Sequence, residues 1–474
     1  MRRNTRWILI VMLIAVAARV SAYTVPYEAW LGAYVGEKKI GYMSYKIDKA
    51  DINGVSGYRI DSVLSNRLSI LGAELTQLVT TVIYTDTKSQ PIKEDFAMSS
   101  GGKTTRVISN FKKDVVECEI SAGSGSSKKT VPIPSGATLV GDPMFAVPSP
   151  EVGRKYSFHY FDPLSLAVSE LTVNVEREEK LKIGDKEYDT FVMKSASPLG
   201  NVTVWQEKNG DVVQAKGIMG ITLTRQSRTE AMAGIGEGPS QDLAILTSVK
   251  SNKKIPSARS VQKLDVILKG LSCEPIKDIR QSVISDKIEG EKRLCITARS
   301  FDSTKSAVLP IGQADMATFL ASTPYIDSDQ SAVQTQAREI VGEEKNAYLA
   351  CTKIRAWVNA NLQTRANIGI TRSGSDVLKS KVGVCRDYAI LFASLARSAG
   401  IPTRIAAGLV YLEGSFYYHA WDECYVGEWT PFDATLPTDF VDATHIKLAE
   451  GDATCMFGLS KVIGSLKADV KSFK

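Results

Sequence analysis

The stretch Gly383-Val384-Cys385-Arg386-Asp387-Tyr388-Ala389 decides the fold of the C-terminal region, because it opens an apolar pattern of helical period. Apolar residues recur at spacings of three and four as far as Ala399, which predicts an amphipathic helix that Gly400 and Pro402 bring to an end. Cys385 then lies in the first turn, where unpaired N–H groups and the helix dipole favour a thiolate. Its own N–H is also placed to bind a developing oxyanion.

Three strands are predicted after this helix. Residues 404–411 and 417–426 have strand patterns separated by a turn at 413–415, and residues 429–433 predict a third strand. Side chains alternate along a strand, so His419 shares a face with Trp421, whereas Cys424 points away. A helix start beside this hairpin can bring a thiol, an imidazole and a carboxylate together.

Cys385, His419 and Asp433 are the candidate catalytic residues. A thiol attacks acyl carbon efficiently only as the thiolate, so it needs a base, and the base needs an orienting carboxylate. The chain has only three histidines, which makes His419 within this stretch a strong signal.

The pattern resembles the transglutaminase-like superfamily of papain-type thiol enzymes, from about residue 375 to residue 435. The stretches that carry the resemblance are Gly383–Ala389, Leu395–Arg404, His419-Ala420-Trp421 and Trp429-Thr430-Pro431-Phe432-Asp433-Ala434-Thr435. The resemblance implies an α+β fold with a papain-like core, in which Cys385 is the nucleophile, His419 the general base and then acid, and Asp433 the orienting residue. It does not fix the reaction, because the same core occurs in cross-linking enzymes, peptidases, amidases and inactive members.

The predicted function is that of an exported thiol enzyme, a peptidase or amidase, which cleaves amide bonds of a peptide or protein substrate through a Cys385 thioester. The alternatives are a protein-glutamine acyltransferase that cross-links proteins, and a non-catalytic envelope binding or scaffold protein. Gln363 is the candidate for the second oxyanion donor. Trp421 and Trp429 are interpreted either as the lining of a dry tunnel or as core anchors.

For three further residues, a structural role or no role is preferred. His445 is predicted to be a structural, hydrogen-bonded histidine, with a place in the cleft as the alternative. Asp387 is close enough to Cys385 to disfavour a thiolate, and it is therefore interpreted as structural. His159 is assigned no role.

Chain length and charge limit the number of domains and the class of partner that are expected. The 474 residues are enough for two or three domains. The net charge is +6, and four of the positive charges are Arg2, Arg3, Arg6 and Arg19. The remainder of the chain is therefore nearly neutral and has no basic patch with interleaved aromatics, so no nucleic-acid partner is expected.

The N-terminus has the pattern of a signal peptide over residues 1–22. A basic region precedes the mostly apolar residues 7–18, and Val20-Ser21-Ala22 supplies small residues for cleavage. The apolar run is too short for an ordinary spanning helix. Export is expected, to a periplasm or the medium, and the bacterial part of this expectation follows from the family resemblance.

The seven cysteines are compatible with an exported protein. With Cys385 free, six remain, and Cys273 with Cys295 is the preferred guess for one disulfide. No cysteine or histidine set has the spacing of a metal site, so neither a metal nor another cofactor is expected.

The upstream chain is predicted to be β-rich. Residues 23–233 form an N-terminal β domain with strands near 40–47, 58–64, 77–85, 171–176, 202–206 and 221–225. A boundary at residues 234–240 precedes a smaller β region at 241–325, and the core occupies 326–474. The N-terminal sheet is interpreted as a plain scaffold, with envelope, lipid or peptide contact as the alternative.

Overall fold

A computed structural model describes residues 25–474, apart from 71–72, 101–102, 123–124, 143–146, 148, 198–199, 218–220, 238–246, 272–273, 286–289 and 366–371. The predicted signal peptide at 1–22, residues 238–240 of the predicted boundary and Cys273 lie outside the described residues. No helix among the described residues combines the length and the apolar character needed to cross a membrane.

The N-terminal region is one antiparallel sheet of fourteen strands, followed by a short helix α1. The strands are β1 (Tyr27–Val35), β2 (Lys38–Ile52), β3 (Val55–Ile70), β4 (Ala73–Asp86), β5 (Pro91–Ser100), β6 (Lys103–Phe111), β7 (Val115–Ala122), β8 (Gly125–Pro132), β9 (Lys155–Asp162), β10 (Ala167–Ile183), β11 (Lys186–Ser197), β12 (Gly200–Gln206), β13 (Val212–Lys216) and β14 (Ile221–Gln226), and α1 spans Arg228–Met232.

The order of these strands is two meanders joined at their first and last members. The chain runs outward from β1 to β8, crosses to β9 and returns to β14, which pairs with β1 in the middle of the sheet. The sheet bends so that Phe161 and Leu166 near one end pack against Val107 and Ile120 near the other. Alternation of buried and exposed residues, as along β5, is what lets one face of each strand enter this core.

A smaller sheet of four strands follows in the chain, after a two-residue strand β15 (Val249–Lys250). Its order is β17 (Gln281–Ser285), β18 (Glu291–Thr297), β16 (Lys263–Lys269) and β25 (Lys467–Phe473). The last strand comes from the end of the chain, so the predicted core at 326–474 loses this segment to the smaller sheet. Likewise, β15 from the predicted small region pairs with a strand of the core.

The C-terminal core has helices on one face of an antiparallel sheet. The helices are α2 (Ala317–Leu320), α3 (Ser331–Val341), α4 (Ala347–Asn361), α5 (Gly374–Ser380) and α6 (Cys385–Ser398). Short 3-10 helices lie at Ala258–Ser260, Ser303–Lys305, Ala314–Met316 and Ala453–Lys461. The remaining strands are β19 (Gln363–Thr364), β20 (Val382–Gly383), β21 (Thr403–Leu412), β22 (Ser415–Tyr425), β23 (Trp429–Phe432) and β24 (Ile446–Gly451).

Helix α6 is the centre of this core. From Asp387 to Arg397 every residue of the helix is buried. One side packs on α3 and α4 through Phe392 and Leu395, and another packs on the sheet through Ala389 and Ala393. The opposite face of the sheet packs against the smaller sheet, where Leu264 and Leu268 meet Leu409 and Ile446. The α+β class with a papain-like core after β-rich regions is therefore the observed fold.

The predicted Cys273–Cys295 disulfide is not shown, since Cys273 lies outside the described residues and Cys295 is free. All six cysteines among the described residues are free, including Cys295. Cys295 lies in the middle of β18, where its cross-strand neighbours are Asp265 and Ser282. Neither neighbour is a cysteine, so the strand pairing offers Cys295 no partner at bonding distance.

Candidate active site

Cys385 is the first residue of α6, as the helical pattern predicted. The Asp387 carboxylate accepts a hydrogen bond from the N–H of Val384 at 2.9 Å and so caps the helix start. Gly383 is required here, because a Cβ at that position would lie 2.6 Å from the Cβ of Asp387. This local packing fixes the direction in which the thiol leaves the helix.

Asp387 has the structural role predicted for it, with a partner that the sequence did not reveal. Its carboxylate is completely buried and forms an ion pair with Arg372 at 3.2 Å. Arg372 also donates to Ser380 Oγ at 2.7 Å. Because the guanidinium balances the buried charge, Asp387 does not leave an unpaired negative charge beside the thiol.

His419 is brought to the thiol by β22. The Cys385 thiol hydrogen-bonds with the His419 ring and accepts from the N–H of Ala420. On the far side of the ring, His419 Nε2 lies 2.8 Å from Asp433 Oδ2, just after β23 ends. The structure therefore joins the three predicted residues in one hydrogen-bonded series, with Nδ1 as the ring nitrogen left for the thiol.

The environment of these groups favours the charged forms of all three. Burial raises the pKa of the Cys385 thiol, but the hydrogen bond and charge of His419, the N–H of Ala420 and the charge of Arg386 lower it by more. Burial lowers the pKa of His419, yet Asp433 and Cys385 together raise it to about 10. The pKa of the Asp433 carboxyl is held well below its usual range, because the two nearby imidazoles outweigh the effect of burial. These shifts favour a thiolate on Cys385 and an imidazolium on His419.

Asp433 has a second histidine partner, His445, for which the sequence interpretation preferred a structural role over a place in the cleft. His445 Nε2 lies 3.2 Å from the same oxygen, Asp433 Oδ2, and the ring is fully buried. His445 immediately precedes β24, which pairs with β21, and β21 in turn carries Gly408 opposite His419. A Cβ on Gly408 would lie 1.9 Å from the Ile446 carbonyl oxygen, so this glycine lets β24 approach.

The other predicted residues are distributed around the site. Trp421 stacks beside His419 with ring centroids 6.2 Å apart and is buried. Trp429 instead packs on Phe319 and lies under the Arg404 guanidinium. Gln363 is exposed on β19, paired with Val382 just before the helix start, so its role as an oxyanion donor stays a prediction.

One buried acid of β22 has no evident partner. Both carboxylate oxygens of Asp422 lack a hydrogen bond among the described residues. Burial first, and then the charges of Cys424 and Asp433, raise the pKa of Asp422 well above its ordinary value, while Arg397 acts in the opposite direction. These effects favour the neutral form of Asp422, whereas the surroundings of Asp433 favour its charged form.

One group of side chains among the described residues could hold a metal ion. The donor atoms of His419, Asp433 and His445 all lie within 4.8 Å of one another. However, Asp433 Oδ2 is already within hydrogen-bonding distance of both imidazoles. The expectation of no metal stays a prediction.

Two parts of the chain match known protein families. Residues 334–434 match the Transglutaminase-like superfamily, and this range contains Cys385, His419 and Asp433. The chain has a transglutaminase-like core. Residues 23–221 match a family described as a protein of unknown function, DUF3108, which covers most of the fourteen-stranded sheet. His445 lies beyond the end of the transglutaminase-like match.

Individual relatives cover parts of the chain. An uncharacterised protein of Mycobacterium leprae (strain TN) is 30% identical over 120 residues, which are 23% of this chain and 40% of that protein. The chain therefore matches less than half the length of this curated relative. A solved structure named "Putative Cysteine Protease", from Cytophaga hutchinsonii, covers 45% of this chain and 86% of its own, with 19% identity and a TM-score of 0.33. A "Beta-barrel-like Protein of Domain of Unknown Function DUF1849" from Brucella abortus covers 42% and 94%, with 12% identity and a TM-score of 0.31.

Proposed function

We propose that this chain is a cysteine peptidase or amidase that cleaves an amide bond through a thioester on Cys385. The observation that carries the proposal is the hydrogen-bonded series from the Cys385 thiol through His419 to Asp433. The pKa shifts of all three members favour the charged forms that nucleophilic attack on acyl carbon needs. A core that had become only a recognition module would have no need to keep this series intact.

The chemistry follows from the placement of the protons. The Cys385 thiolate attacks the amide carbonyl carbon, and the carbonyl oxygen takes up negative charge next to the Cys385 N–H at the helix start. His419 then gives its proton to the leaving nitrogen, and the C–N bond breaks to leave a thioester and a free amine. Neutral His419 next takes a proton from water, whose oxygen attacks the thioester and releases a carboxylic acid and the thiolate.

Asp433 holds the imidazole in the orientation that this sequence requires. Its contact with His419 Nε2 fixes the ring so that the other nitrogen faces the thiol. The contact also stabilises the imidazolium, because Asp433 stays ionised in the buried site. Asp433 therefore acts through His419 and does not itself receive a proton.

The direct test is a search for the thioester. Peptide amides incubated with the protein should give an adduct on Cys385 that mass spectrometry detects after an acid quench, and Cys385→Ala should give none. Cys424→Ala is the matched control, because that thiol is buried and lies on the strand face away from His419. An unmodified Cys385 together with substrate turnover by Cys385→Ala would refute the proposal.

Hydrolysis and amine transfer share this thioester, and the next nucleophile separates them. Water is present at about 55 M, so a transferase must exclude it and position an amine. We propose hydrolysis, because we identify no segment with the character of an amine-binding domain. A primary amine at low millimolar concentration should leave the carboxylic acid as the main product, and a dominant amine adduct would establish transfer instead.

The cellular setting of the enzyme is part of the same proposal. An exported location is supported by the basic, apolar and small-residue pattern of residues 1–22.

A cleft of about 610 Å³ lies between the N-terminal sheet and the core, with Lys128 and Val107 on one side and Tyr325 and Asp327 on the other. We propose a peptide or protein substrate. Envelope or lipid contact by the N-terminal sheet is the alternative to a scaffold role, and vesicle co-sedimentation of the isolated full chain would distinguish them.

A further inference from the structure

His445 occupies a buried position between two carboxylates. Its Nε2 lies 3.2 Å from Asp433 Oδ2. Its Nδ1 lies 3.2 Å from the carbonyl oxygen of Asp442 and 3.4 Å from the Asp442 carboxylate. Each ring nitrogen therefore faces an oxygen that can only accept a hydrogen bond. A proton on Nε2 lets the ring donate a hydrogen bond to Asp433.

Asp433 in turn lies within hydrogen-bonding distance of three donors. Its Oδ2 lies 2.8 Å from His419 and 3.2 Å from His445, and its Oδ1 accepts from the N–H of Thr435 at 2.8 Å. A buried carboxylate keeps its charge only when donors replace the water it has lost. His445 supplies one of three such donors, and unlike His419 it lies outside the segment that matches the transglutaminase-like superfamily.

The smaller sheet region holds the other end of this arrangement. Arg259 forms an ion pair with Asp442 at 3.1 Å and donates to Thr444 Oγ1 at 3.1 Å. Arg280 donates to the carbonyl oxygens of Val441 and Asp442, each at 3.0 Å. Two arginines of the small region therefore fix the loop that carries His445.

A continuous series of contacts runs outward from the thiol. Its members are Cys385, His419, Asp433, His445, Asp442 and Arg259. Each of the two buried carboxylates, Asp433 and Asp442, has a side chain with ring or guanidinium nitrogens on either side, which offsets the cost of removing it from water. Removing the fourth member would leave Asp433 with a single imidazole partner.

We propose that His445 is a positioning residue of this site, which holds Asp433 ionised and turned towards His419 and thereby keeps Cys385 as the thiolate. The inference rests on the proposed thiol chemistry, but its test needs no substrate. Without the His445 donor, Asp433 binds a proton more readily or turns away, and the imidazolium loses part of its stabilisation. The thiol then keeps its proton up to a higher pH.

The test measures the rate of iodoacetamide labelling at Cys385 as a function of pH, with the site read by peptide mass spectrometry. The variants are His445→Leu, which removes the donor, and His445→Gln, whose amide N–H can replace it. His159→Gln is the matched control, because this histidine lies on β9 of the N-terminal sheet opposite Glu170. Circular dichroism and thermal melting report the folded fraction of each variant.

His445→Leu should move the pH profile of Cys385 labelling to higher pH by about one unit, which lowers the rate roughly tenfold at pH values below the midpoint of the profile. His445→Gln should stay within about threefold of the natural protein, and His159→Gln should not change the rate. A folded His445→Leu protein that labels at the natural rate would overturn the inference. So would a loss of labelling in His445→Gln as deep as that in His445→Leu.

Two further measurements keep the inference testable if His445→Leu does not fold. Asp442→Asn keeps the shape of the side chain but removes its charge, and it should lower the labelling rate by about threefold or more. Labelling at the natural rate in this variant would count against the series. Dialysis against EDTA should leave the natural rate unchanged, and a fall would replace the hydrogen-bonded arrangement with a metal site at the same three residues.

Failure of the proposed function has a different signature. If Cys385 of the natural protein labels no faster than free cysteine at mildly acidic pH, the thiolate itself is absent and the peptidase proposal fails. If the natural protein labels rapidly and His445→Leu does so equally, only the role of His445 is lost.

Discussion

The N-terminal sheet and the C-terminal core differ in how far the charged side chains of their pairs are buried. On the sheet, ion pairs such as Lys180–Glu187 and Arg106–Asp95 connect strands at the surface, where the lysine and arginine side chains keep 69% and 52% of their accessible area. In the core, the pairs Arg372–Asp387, Lys447–Glu423 and His445–Asp433 are almost wholly buried, with no side chain of these six above 5%.

This difference in burial indicates in which region the stability of the chain depends most on electrostatic interactions. An exposed pair gains little, because water and salt screen it and two long side chains must be ordered. A buried pair costs much to form and still more to break, because the remaining partner is left charged in a medium of low polarity. In the core, the buried pairs lie around the start of α6 and the strands next to His419. On the sheet, most charged side chains lie at the solvated surface.

The largest effect should come from the charge that orients the imidazole. Asp433→Asn removes the negative charge but keeps the shape, so it should lower turnover of an amide substrate by roughly a hundredfold or more while the fold persists. Steady-state kinetics with circular dichroism as the folding control would measure this. Asp86→Asn, at a turn of the N-terminal sheet, is the matched control and should leave turnover unchanged, and an unaltered rate in Asp433→Asn would remove Asp433 from the mechanism.

The next effect should be on stability, at the buried lysine that joins the small region to the core. Lys447 lies 2.9 Å from Glu423, 2.8 Å from Glu450 and 2.5 Å from Asp278. Burial lowers its pKa, but Glu423 and Asp278 raise it by more, so the ammonium is charged at neutral pH. Lys447→Met should lower the free energy of unfolding by about 3–5 kcal/mol in urea titrations, since Asp278 loses its ammonium partner and Glu423 and Glu450 keep only Arg404.

A buried acid without a partner should behave in the opposite way. Asp422→Asn should raise the free energy of unfolding at neutral pH by about 1–3 kcal/mol, because the natural side chain must keep a proton in the fold. The pKa of Asp422 is raised in the fold, whereas the unfolded carboxyl ionises near pH 4. The natural protein should therefore lose stability as pH rises above about 4, and the gain from Asp422→Asn should shrink towards zero below that pH. A gain that does not vary with pH would show that Asp422 is ionised in the fold.

The smallest effect should come from the same substitution on the other region. Lys180→Met breaks an exposed pair with Glu187 at 2.8 Å. It should leave the urea midpoint within error of the natural protein and turnover unchanged. A loss comparable with that of Lys447→Met would mean that burial does not govern the value of these pairs, and the contrast between the two regions would fail.

Much of the local structure was predictable because its signals are periodic. The predicted helical pattern from Cys385 to Ala399 became α6 (Cys385–Ser398), and the strand predicted at 404–411 became β21 (Thr403–Leu412). The six strands predicted upstream all lie within strands of the N-terminal sheet. Strands β6 and β7 were not predicted, although Val116, Cys118 and Ile120 alternate with charged or polar residues along β7.

The sequence by itself determined the elements and the order Cys385, His419, Asp433, since turn residues, periodicity and a motif within one short segment are local properties. Only the tertiary structure decided the partners that arrive from elsewhere. Arg372 meets Asp387 and β25 joins the smaller sheet, and neither contact has a local signal. His445 reaches Asp433 because β24 pairs with β21 against Gly408, and no local rule encodes which distant strands will pair.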